Sequence, residues 1–175
     1  MPFKKARCVV DTNVPLVASD RSGMSPECVH ACSLCLQELM QSGCVVIDDK
    51  WLILGEYQHK LSPLGQPKIG DRFLKWILTN LANPQRCQQV TLTHLDDSDQ
   101  NFAEFPAHSG LARFDPSDRK FVAVAAACPD GPAPVLQAAD SKWWGWSHSL
   151  AECGIRVDFI CPAEISSKHK KKTGP

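Results

Sequence analysis

Short runs of apolar, mostly β-branched residues alternate along this chain with longer stretches in which apolar positions recur every three or four residues. Cys8-Val9-Val10, Cys44-Val45-Val46-Ile47, Val135-Leu136 continuing into Ala138-Ala139, and Val157-Asp158-Phe159-Ile160 read as buried strands. Between them the helical period predicts helices over about 26–42, 50–61, 69–82, 116–128 and 141–153. Ser25-Pro26 is a good opening for the first of these, and Gly43 a good stop. Strands without a polar face, separated by helices, predict an α/β protein. The expected architecture is a three-layer α/β/α sandwich around a central, mostly parallel sheet of four to five strands. Residues 86–110 follow neither period, carry an acidic patch (Asp96, Asp97, Asp99), and read as an added loop or hairpin.

The chain of 175 residues is long enough to bury one sizeable core. We expect a single domain over residues 1–165. Residues 166–175 contain Lys168-His169-Lys170-Lys171-Lys172 and are expected to form a basic, disordered tail. The longest apolar run, Phe121 to Cys128, is far too short to span a bilayer. MPFKKARCVV is a poor signal peptide, so a cytoplasmic location is expected. A formal net charge of zero neither favours nor excludes a nucleic-acid partner.

Nine cysteines are many, but the count is odd and the spacing is not that of a secreted disulfide framework. Cys32 and Cys35 form a CxxC motif, with Cys28 one turn earlier. A zinc site needs a second half, and no other CxxC supplies it. Cys28, Cys32, Cys35 and Leu39 recur at helical spacing, opposite a polar stripe of His30, Ser33, Gln37 and Gln41. The three cysteines are therefore expected to be buried free thiols that pack as small hydrophobes. The six histidines show neither zinc-like nor triad spacing.

The chemistry is carried by acids. Asp11 ends the apolar run CVV, and Asp140 follows PVLQAA in the same way, so both fall just past a strand, where α/β sheets collect their functional groups. Asp140 is equally an N-cap for the helix that begins at Ser141. In FDPSDRKF, Asp115 before Pro116 is a natural N-cap. That leaves Asp118 in the first turn on the face of Phe121, Val122 and Ala125, where a carboxylate is costly unless paired or bound. Its alternative role is to favour the helix dipole. Glu56, in LILGEYQHKL, shares a face with Leu52 and Ile53; its alternative role is an ion pair with Lys60. Together the four supply the hard oxygen donors that Mg²⁺ or Mn²⁺ requires, and such sites often cleave phosphate esters.

In VVDTNV, LILGEYQHKL, SDRKFVAVAAA and QAADSKWW the chain resembles the PIN-domain family of metal-dependent ribonucleases, across residues 6–160. The resemblance implies that Asp11, Glu56, Asp118 and Asp140 hold Mg²⁺ or Mn²⁺ and hydrolyse RNA through a metal-activated water. It implies that Thr12 and Asn13 orient Asp11. For small bacterial members it further implies a toxin neutralised by an antitoxin protein, and it makes a homodimer plausible. Many members place a Thr or Asn before the last acid and a second acid after it. Here Ala138-Ala139 precede Asp140, and Lys142-Trp143-Trp144 follow.

Single-stranded RNA is the expected substrate. Trp143, Trp144 and Trp146 could stack its bases, or Trp143 and Trp146 could pack the helix on the core with Trp144 partly exposed. Lys68, Arg72 and Lys75 form a basic helix face that solvation explains equally well. The leading alternative function is a PIN-like module that binds RNA or assembles without cutting. A phosphatase of the haloacid dehalogenase type ranks lower, because the second Asp that chemistry needs is Asn13 here.

Overall fold

The computed structural model describes residues 6–174 except 63, 65 and 66. Five parallel strands form one sheet: β1 (Arg7–Val10), β2 (Cys44–Asp48), β3 (Cys87–Val90), β4 (Val135–Gln137) and β5 (Val157–Phe159), in the order β3-β2-β1-β4-β5. Seven α-helices occur among the described residues: α1 (Asn13–Ala18), α2 (Pro26–Ser42), α3 (Leu52–Lys60), α4 (Ile69–Asn80), α5 (Arg119–Ala126), α6 (Ser141–Glu152) and α7 (Pro162–Thr173). The α/β architecture and parallel sheet are those the hydrophobic pattern predicts.

Topology follows from connection chirality. The chain steps from β1 outward through β2 to β3, then crosses back to β4 and β5. Parallel neighbouring strands need crossover connections, and the helices in those connections cover the sheet. On one side α1, α2 and α4 pack together, while α5 lies across β1, β2 and β4. With both faces covered, Val9, Val10, Val45, Val46, Ile47 and Val135 have no exposed surface.

Local signals explain most element ends. The Ser25 side chain accepts from the Cys28 N–H with Pro26 in the first helical position, and Asp115 caps the 3₁₀ turn Pro116–Asp118 that leads into α5. Three elements differ from expectation. Residues 86–110 contain edge strand β3, whose polar Gln88 and Gln89 hide the strand pattern; the remainder forms a loop closed by a bridge between His94 and Phe102. Asn13–Ala18 forms the short helix α1, an element the hydrophobic pattern did not predict. Residues 166–173 of the expected tail belong instead to helix α7, because Ile165 is buried and Lys168 Nζ reaches Met24 Sδ at 2.7 Å. Cys28 also departs from the free-thiol expectation: it is disulfide-bonded to Cys161.

Candidate metal centre

The four acids converge at the carboxyl ends of the central strands. Asp11 follows β1, the neighbour of β4. Asp140 stands just past Gln137, the last residue of β4, at the N-cap of α6. Glu56 is brought in by α3, and Asp118 by the turn that opens α5. Acids far from Asp11 in sequence thereby face it, since Asp118, Glu56 and Asp140 all act electrostatically on its carboxyl.

Each acid is held by a definite partner. Asp11 is 2% exposed, and one of its oxygens accepts the Asn13 N–H at 2.8 Å. Burial, then Asp118, Glu56 and Asp140, push its carboxyl well above the ordinary range, against the pull of that N–H. Asp118 is pushed up to about 6, chiefly by burial, with Asp115 and Asp140 adding like charge. The indole N–H of Trp143 opposes this shift, donating to Asp118 Oδ2 at 3.1 Å. Asp140 accepts the Lys142 N–H at 2.9 Å, so its capping role and its place in the cluster are compatible.

Glu56 is the most constrained. Thr12 Oγ1 donates to its Oε1 at 2.6 Å, and Lys120 Nζ stands 2.6 Å from its Oε2. The partner expected from helical spacing was Lys60; the observed one is Lys120, 64 residues away and only 9% exposed. Lys120 also donates to the Ser117 carbonyl. Thr12 thus orients Glu56, while the backbone of Asn13 orients Asp11, a division of labour the motif alone does not reveal.

One acid near these strand ends escaped the sequence reading. Asp48 ends β2 fully buried, as Asp11 follows β1, but accepts the N–H groups of Lys50, Leu52 and Ile53. Its carboxylate is spent on capping α3. The signal was present: an apolar strand ending in Asp, shortly before a helix. Trp143 has no exposed surface and packs against Phe114 at 5.0 Å, so it supports Asp118 instead of stacking bases. Trp146 also packs on Phe114, and Trp144 on Phe159. Of the basic face, Lys68 is committed to the Ser19 carbonyl.

The donor set is all carboxylate, which suits a hard divalent cation such as Mg²⁺ or Mn²⁺. Asp11 in particular is a buried carboxyl with like-charged neighbours and one hydrogen bond, an environment that an ion would relieve. The acids do not form a collapsed cage. Among the described residues, the set of three metal-capable side chains whose ligating atoms all lie within 4.8 Å is instead Cys28, Cys32 and Cys161.

The fold and site define an α/β sandwich with acids gathered at its strand exits. Beyond that class, the chain matches no protein-family model, no curated protein and no solved structure. No helix among the described residues is long and apolar enough to cross a membrane.

Proposed function

We propose that the chain is a PIN-like, metal-dependent endoribonuclease that hydrolyses phosphodiester bonds of single-stranded RNA, with Asp11, Glu56, Asp118 and Asp140 holding Mg²⁺ or Mn²⁺. The observation that carries this reading is Asp11: a buried carboxyl at a strand exit, with three acids from three other segments raising its proton affinity. A cluster of this kind is costly to a fold that has no use for it.

When bound, the ion supplies a water of lowered pKa and positive charge for the phosphate oxygens. The chain's own contribution is orientation. Asn13 and Trp143 present Asp11 and Asp118 through one fixed oxygen each, leaving the other oxygen for an ion. Thr12 and Lys120 engage one oxygen each of Glu56 and hold its carboxylate beside Asp11. Lys142, exposed, adjacent to Asp140 in sequence and 3.6 Å from Asp115 Oδ2, is the cation this reading assigns to an RNA phosphate. An antitoxin protein and a second copy of the chain are the partners this reading anticipates in the cell, where it would act in the cytoplasm.

One observation favours the non-cleaving alternative. The Lys120 ammonium already sits on Glu56 as an internal cation, which leaves the cluster less in need of metal. Mn²⁺-dependent cleavage of a mixed-sequence single-stranded RNA separates the two. Activity that disappears in Asp11→Asn and Asp118→Asn, with both variants folded by circular dichroism, supports the nuclease. Wild type that binds RNA without cutting it supports the module, and cleavage surviving both substitutions refutes the site.

A further inference from the structure

The CxxC motif lacked a second half in sequence, and the fold supplies a different one. Cys28 and Cys32 lie one turn apart on the buried side of α2. Cys161, at the N-cap of α7, comes from the far end of the chain, 133 residues from Cys28, with Cα atoms 5.6 Å apart. The three sulfurs all lie within 4.8 Å of one another. Cys35, at the other end of the CxxC, does not belong to the group. The pair that matters is therefore the CxxxC of Cys28 and Cys32, together with Cys161.

We propose that Cys28, Cys32 and Cys161 are a thiolate site for a zinc-class divalent cation, closed while Cys28 and Cys161 are disulfide-bonded and open once that bond is reduced. A dithiol or phosphine reductant breaks the bond: two electrons and two protons convert it to two thiols, and the reductant leaves oxidised. The three thiols then bind one cation as thiolates and release three protons. Four-coordinate zinc holds its sulfurs at about 2.3 Å, which sets them about 3.8 Å apart. Cys32 takes no part in the disulfide and is the third sulfur of the group.

The surroundings suit a built site. An open cavity of about 330 Å³, lined in part by Ser25, Cys28, Cys161 and Glu164, gives access from solvent to two of the three sulfurs, while Cys32 is fully buried. Glu164 is fixed beside it, accepting from the Ser25 N–H at 3.1 Å and the Ser25 hydroxyl at 2.6 Å. Both states tie α7 to α2, by a covalent bond in one and by shared coordination in the other. Soft sulfur donors separate this site from the acid cluster, so it stands or falls independently of the nuclease reading.

The test is a Co²⁺ titration of the full chain, reduced with a phosphine and desalted without oxygen. The expected result is one Co²⁺ per chain with an intense sulfur-to-cobalt charge-transfer band and tetrahedral ligand-field bands, lost on adding Zn²⁺. The unreduced protein should show no such band. Cys32→Ser retains both disulfide partners, so its fold is verified by recovery of the disulfide. It should bind more than about 100-fold more weakly, beyond the roughly 10–100-fold typical of outer-shell partners. Cys161→Ser should lose the band as well. A reduced wild type without the band, an oxidised protein that shows it, or either variant titrating like wild type overturns the proposal.

Discussion

Asp118→Asn should make the metal-free protein more stable at neutral pH. Burial and neighbouring acids push the Asp118 carboxyl from 3.8 to about 6 in the folded chain. Between those values the unfolded chain gives up its proton while the folded chain keeps it. Stability is therefore fully present below the unfolded pKa and is lost as pH rises through the folded one. At about 1.36 kcal/mol per pKa unit, ionised Asp118 costs the metal-free fold about 3 kcal/mol at pH 7.5. Asn has the same shape and keeps an oxygen to accept the Trp143 indole N–H, so the substitution removes the charge and little else. For a chain of this size the gain corresponds to roughly 6–12 °C in Tm. Urea denaturation in EDTA at a series of pH values measures it directly. Wild type should weaken from about pH 4 to 6, and the variant should be flatter over that window. Mn²⁺ at roughly 1,000 times Kd should reverse the ranking, adding about 4.1 kcal/mol to wild type and almost nothing to the variant. A variant no more stable than wild type in EDTA at neutral pH would refute the claim that Asp118 is held ionised against its surroundings.

Lys120→Met leaves Glu56 without its ion-pair partner and should cost about 3 kcal/mol in denaturant unfolding, with part of the loss restored by Mn²⁺. Asp48→Ala removes the acceptor for three N–H groups at the start of α3 and should cost about 3 kcal/mol. Metal affinity of the folded Asp48 variant, read by calorimetry, should be unchanged, because that carboxylate belongs to the helix and not to the site. Gly70→Ala would drive a methyl group into the Pro15 carbonyl and the Ser19 hydroxyl, and should lower stability by about 2 kcal/mol in thermal melts. Gly55→Ala, exposed on α3 with nothing within 4 Å of the added carbon, should instead raise it by about 0.5–1 kcal/mol.

The hydrophobic pattern by itself determined the fold class, the four strands that carry an apolar signal and five of the helices. Burial on both faces of a parallel sheet writes itself locally, as in Cys44-Val45-Val46-Ile47, and so do caps such as Ser25 and Asp115. It could not reveal β3, because Gln88 and Gln89 sit on an edge strand where burial does not select apolar residues. Nor could it reveal α7, whose polar composition is tolerated because a buried Ile165 and contacts to Cys28 and Met24 hold it in place. For the site, spacing identified which acids end strands or face the core, but not how each is held. The Thr12–Glu56, Lys120–Glu56 and Trp143–Asp118 contacts join residues 44, 64 and 25 positions apart. Cys161 reaches Cys28 across 133 residues, and only the return of α7 onto α2 brings them together. Periodicity reports which face of an element is buried, whereas the partner on that face is chosen by how the elements pack. The sequence therefore determined the acids, and tertiary structure decided what neutralises, orients and joins them.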